Sequence, residues 1–230
     1  MYPQSNKVTL DYSTTRDLSI PKFFNQVYAW MCVGLAVTAV TAFLAQGFMI
    51  HSPLVLVAAF LGLTVLGIST QAVTMRVSAG AGLAMFLLYA AIIGVISSWI
   101  FVVYRIETLM AAFAVTAGTF AGVSAVGFFT KIDLSRAGGF IIMAIWGVFL
   151  ASVVNLFVAS TAFSWFITYA VLALFIGYTA YFTQNLRDMA IAYKDSPQML
   201  QRLAVIGSLQ LYVSFLNMFF SILRIMGNRR

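Results

Sequence analysis

Two stretches hold the side chains that could do chemistry. In the last apolar segment Gly207, Gln210, Ser214, Asn217, Ser221 and Arg224 are spaced 3, 4, 3, 4 and 3 residues apart, which places them along one face of a helix. In the segment before it, GYTAYFTQNLRD (Gly177 to Asp188) strings Tyr178, Thr179, Tyr181, Thr183 and Gln184 together ahead of Arg187. These groups are neutral oxygens and amides. In an apolar setting they either hydrogen-bond one helix to another or line a polar path, and the spacing alone leaves both readings open.

Catalysis asks for more than this. The six acids are Asp11, Asp17, Glu107, Asp133, Asp188 and Asp195, all in the N-terminal tail or near loops, so no paired carboxylates stand within an apolar segment. His51 is the only histidine, which argues against a metalloprotease or a histidine-based triad. A serine or tyrosine without a base is no activated nucleophile, and the glycines follow no phosphate-loop spacing. Cys32, the only cysteine, reads as a small apolar filler. The expectation is a protein that is not an enzyme, with no cofactor and no metal site.

The elements that carry these residues follow from composition. The chain is 62% hydrophobic and 8% charged, against about half and about a quarter in soluble domains. Charge is absent for 53 residues between Lys22 and Arg76, 28 between Arg76 and Arg105, 23 between Glu107 and Lys131, 50 between Arg136 and Arg187, and 21 between Arg202 and Arg224. A helix crosses a hydrocarbon core with about 20 apolar residues. Two gaps therefore hold two crossings and three hold one. The predicted spans are 25–46, 54–74, 79–103, 108–129, 138–158, 164–184 and 203–224, in an all-α, seven-transmembrane-helix bundle. Residues 1–22 form a polar tail without a signal-peptide core, and 23–230 form one transmembrane domain.

The net charge of +7 reads as topology rather than as a nucleic-acid footprint. With the N-terminus inside, nine basic residues lie on inner segments and only Arg105 lies in an outer loop, the bias expected of a cytoplasmic side. Arg224, Arg229 and Arg230 fall outside if the last segment crosses fully. Trp30, Trp99 and Trp165 sit near span ends as interfacial anchors, whereas Trp146, mid-span, is expected to pack between helices. Gly118 and Gly122 form a GxxxG, and Gly147 and Ala151 lead to Asn155 at the same spacing; both read as helix contacts.

LYVSFLNMFFSILRIMG (Leu211 to Gly227), GYTAYFTQ (Gly177 to Gln184), TKIDLSRAGGF (Thr130 to Phe140) and VVNLF (Val153 to Phe157) together resemble the Bax inhibitor 1 family. The likeness covers residues 20–230 and includes features of its bacterial, YccA-type members. It implies a seven-helix fold with the last helix at the centre, in a bacterial inner membrane. It also implies a pH-sensitive calcium leak, in which an aspartate late in the sixth helix and one in the seventh share a proton. This chain departs from the pattern there: Phe182 and Ser214 stand where the family keeps its acids.

Two close carboxylates can share a proton near neutrality because the second charge is repelled; phenylalanine and serine cannot. Calcium prefers several oxygens, carboxylates among them, and here Gln210, Ser214, Asn217, Ser221, Asn155 and Tyr181 would offer only neutral ones. Arg76, near the basic partner that the resemblance implies at the end of the second helix, would lack its carboxylate. The expected function is a channel-like protein passing calcium or other cations with altered or absent pH gating. The alternative, suggested by Ser214 in its YccA-type context, is a regulator that binds a membrane-anchored AAA protease.

Overall fold

In lipid a backbone N–H or C=O finds no water, so a spanning segment must pair these groups within itself, and the charge-free runs accordingly form helices. The computed structural model describes residues 19–46, 53–134 and 137–227. The polar tail up to residue 18, His51, Arg136, Arg229 and Arg230 lie outside the described residues. Seven long helices are present among those described: α1 (Ser19–Leu44), α2 (Pro53–Arg76), α3 (Ala79–Ser97, continued by a single turn, Ile100–Val103), α4 (Ile106–Phe129), α5 (Ala137–Val158), α6 (Thr161–Ala192) and α7 (Pro197–Met226). Six are long and apolar enough to cross a membrane, and α2 has the length to do so, at 24 residues. The protein is a multi-pass integral membrane protein with an all-α bundle.

The helices outrun several predicted spans. The first charge ended the expected sixth span at residue 184, yet α6 continues through Arg187 and Asp188 to Ala192. A charge ends a hydrophobic window, not a helix. The chain turns only at Tyr193 to Ser196, and Pro197 then opens α7, at the helix start where its missing N–H costs nothing. At 30 residues, α7 is about 45 Å long. Near its start the Arg202 guanidinium donates to the Met75 carbonyl at the end of α2, and near its end Arg224 donates to Ser164 at the start of α6. The last helix therefore runs the full height of the bundle.

Helix α7 is the centre. It packs against α1, α2, α3, α4 and α6, and 67% of its most apolar window is buried, against 11% for α5, which leans on α6. Lys22, Arg76, Lys131, Arg187, Lys194 and Arg202 collect at one end of the bundle, the basic end, while Arg105 and Arg224 lie at the other.

Glycine sets two close crossings, though not where the spacing motif pointed. A Cβ on Gly94 would run into the Thr41 hydroxyl and come within 2.5 Å of the Thr38 carbonyl, so α3 passes directly over α1. One on Gly127 would strike the Ala180 carbonyl and lie 2.8 Å from its Cα, so α4 and α6 touch backbone to backbone. Gly118, Gly122 and Gly147, by contrast, face open space. The GxxxG marks a face that permits close approach, but among the described residues no helix takes it. Trp146 likewise points outward, 61% exposed, on the open side of α5 rather than between helices.

Candidate functional site at the seam of the last two helices

The polar stripe of α7 faces α6. Antiparallel packing brings Gly207 beneath Leu186, Gln210 to Tyr178, Ser214 to Thr179 and Arg224 to Ser164. At the midpoint Ser214 and Thr179 are both fully buried and their hydroxyls bond to each other. Each hydroxyl has a single proton. The Phe175 carbonyl accepts from this pair, lying 2.7 Å from the Thr179 hydroxyl and 3.4 Å from that of Ser214. The centre of the seam is thus neutral and satisfied.

Toward the basic end, the Tyr178 hydroxyl donates to Gln210 Oε1 at 2.8 Å. Phe182, one turn along α6 and buried, stacks on the Tyr178 ring with centroids 5.7 Å apart and planes 14° from parallel. A ring therefore covers this hydrogen bond at the position where the resembled family has an acid. Toward the other end, Asn217 donates to the Val213 carbonyl and Ser221 to the Asn217 carbonyl, both at 2.8 Å. These two fold back on their own helix.

The stripe ends in a cavity of about 310 Å³ lined by Asn155, Ala159, Ser160, Thr161, Ser164 and Arg224. The Arg224 guanidinium lies 5.6 Å from the centre of the Trp165 ring, an electrostatically favourable seat for a cation. Asn155 Oδ1 is buried there without a partner. Ala159, just past the end of α5, has φ +51°, a left-handed conformation that costs a residue with a Cβ about 1 kcal/mol.

Other residues singled out from the sequence go elsewhere. Tyr181 lies against Gly138 at the start of α5, where an added Cβ would be 2.6 Å from the tyrosine oxygen. Arg76 is exposed at the end of α2 and has no ion pair among the described residues; it is Arg202 that reaches the carbonyls there. Cys32 is an exposed free thiol on the side of α1 that faces toward α4. Among the described residues no group of three His, Cys, Asp or Glu side chains comes together.

Two polar linchpins escaped the reading of the stripe. Gln184 accepts from the Leu134 N–H and donates to the Ile132 carbonyl, both at 2.8 Å, and Arg187, three residues on, donates to the Phe128 carbonyl. Together they pin the turn after α4 to α6. The Gln-x-x-Arg spacing was the available signal. Tyr212 is fully buried, its hydroxyl 2.6 Å from Thr38, which also lies 3.0 Å from the Ala90 carbonyl. That contact ties α7, α1 and α3 together, and no local spacing announces it.

The family described as "Inhibitor of apoptosis-promoting Bax1" matches residues 20–230. The inner membrane protein YbhL of Escherichia coli K12 is 38% identical over 216 residues, covering 90% of this chain and 92% of that protein. Uncharacterized proteins of Deinococcus radiodurans and Borreliella burgdorferi are also similar. The first is 35% identical across the whole of both chains. The second is 34% identical over 91% of this chain and 93% of its own.

Proposed function

The chain belongs to the Bax inhibitor-1 family, and from that premise we propose that it is a bacterial inner-membrane protein whose channel-like bundle is held shut and passes calcium and other cations only as a slow leak that pH does not switch. The N-terminus lies in the cytoplasm, as the crowding of basic residues at one end of the bundle suggests. The likeness to YbhL, an inner membrane protein, supports that location.

One observation carries the reading: the middle of the α6–α7 seam is occupied by the Ser214–Thr179 hydroxyl pair and the Phe182–Tyr178 stack. None of these four side chains takes up or releases a proton near neutral pH. Opening a path along the stripe would break the Ser214–Thr179 and Tyr178–Gln210 hydrogen bonds, worth about 0.6 kcal/mol each in membrane proteins. Arg224, at the far mouth, repels entering cations and keeps the leak small.

Purified protein in liposomes loaded with a calcium dye tests this at about pH 6 and about pH 8. Slow flux above empty vesicles, equal at the two values within about twofold, is expected. No flux at either pH overturns the leak, and a steep pH response overturns the loss of the switch. The second reading, regulation of a membrane-anchored AAA protease, draws on Ser214 and on a tail outside the described residues. Under it, deleting residues 2–18 abolishes co-purification with the protease and leaves flux unchanged.

A further inference from the structure

Helices α1 and α4 flank α7 without closing over it, and between them runs an open, apolar groove of about 640 Å³. Phe24, Met31 and Leu35 of α1 form one wall, Phe113 and Phe128 of α4 the other, and Phe215 of α7 the floor. From Phe113 to Phe129 the groove follows α4 for about 24 Å, more than the hydrocarbon depth of one leaflet, about 15 Å. It opens sideways toward the bilayer.

One polar group in the groove is unaccounted for. Ser124 is 4% exposed and lines the groove beside the Tyr28 hydroxyl, its nearest polar neighbour, without making a hydrogen bond of ordinary length. Other hydroxyls on the same helix return to their own backbone, Thr116 to the Ala112 carbonyl and Thr119 to the Val115 carbonyl. Ser124 does not, although a hydroxyl without a full hydrogen bond in an apolar site is costly. It lies five residues from the end of α4, about 7.5 Å along the axis, at the basic end of the groove. Beyond it the mouth of the groove is basic. Lys22 stands two residues before Phe24, Lys131 two residues after Phe129, and both are exposed.

We propose that this groove is a binding site for an anionic phospholipid. One acyl chain lies along Phe113, Phe120 and Phe215, an ester carbonyl accepts from the Ser124 hydroxyl, and the phosphate meets Lys22 and Lys131. An apolar slot alone would take any chain; the Ser124 donor and the two lysines select a lipid with a carbonyl at that depth and negative charge above it.

Native mass spectrometry of the detergent-released full chain provides the test, with phosphatidylglycerol and phosphatidylcholine of identical chains added in equal amounts. The wild type is expected to retain phosphatidylglycerol at least fivefold over phosphatidylcholine. Ala121→Trp, whose small side chain lines the groove and faces outward, is expected to lose both lipids at unchanged melting temperature. Lys22→Gln with Lys131→Gln keeps binding but loses the headgroup preference, and Ser124→Ala weakens retention of both lipids about threefold, the loss of one membrane hydrogen bond. Equal retention of the two lipids by the wild type overturns the proposal, as does undiminished retention by a folded Ala121→Trp. So does a protein dimer that Ala121→Trp dissociates with no lipid retained, which would assign the groove to a second copy.

Discussion

Ser214 and Thr179 hydrogen-bond to each other at the centre of the α6–α7 seam, where neither side chain carries a charge. Restoring acids at both departures is the sharpest residue-scale test. Phe182→Asp combined with Ser214→Asp should make calcium flux differ several-fold between about pH 6 and about pH 8, because two close carboxylates share a proton near neutrality. Flux in the double variant that stays equal at the two values would show that these positions do not control the path. Arg224→Gln should raise flux several-fold, and more for calcium than for potassium, since repulsion by the guanidinium scales with the charge of the ion. An equal rise for both ions in the dye and electrode readouts would point to a structural loosening instead. At the rim of the same cavity, Ala159→Gly should stabilise the protein by about 1 kcal/mol by relieving its left-handed backbone. Thermal unfolding in detergent reads that directly. Of these residues the sequence exposed the stripe and the two departures. It did not expose Ala159, whose φ depends on how α5 hands over to α6.

At the scale of the helix, α4 holds both a true contact and a false one. Gly127 meets the Ala180 backbone, which cannot give way, whereas Gly118 and Gly122 face open space. Gly127→Val should therefore destabilise by about 1–3 kcal/mol, the usual result of overpacking. Gly122→Val should leave the melting temperature nearly unchanged. The reverse order in a thermal-shift series would restore the GxxxG as an internal contact. Spacing identifies a face and not its partner, which is why the motif was legible and its use was not. The length of α6 was hidden for a related reason. A hydropathy window stops at Arg187, but the helix continues because Arg187 spends its charge on the Phe128 carbonyl at the end of α4, where a cation is favoured by the helix dipole.

Across the whole molecule, the seven crossings expected from the sequence would put the two ends of the chain on opposite faces of the membrane. A reporter active only outside the cytoplasm, fused after Arg230, should be active, and the same reporter fused ahead of Met1 should be silent. Activity of both would mean that α7 fails to cross, against its contacts at the two ends of the bundle.

The sequence by itself determined the membrane class, the helical bundle, its crossings and the central place of the last helix. Those follow from properties local to each segment: a charge-free length matched to the hydrocarbon core, and the cost of leaving amides and hydroxyls unpaired in lipid. The tertiary structure alone decided the partners. It sent Ser214 to Thr179 rather than into open water, Tyr212 to Thr38 across 174 residues of chain, and Gln184 to the turn after α4. It also left the α1–α4 groove open with the Ser124 hydroxyl inside it. A hydrogen bond needs two groups within about 3 Å, and which helices come that close is settled by the packing of the whole bundle.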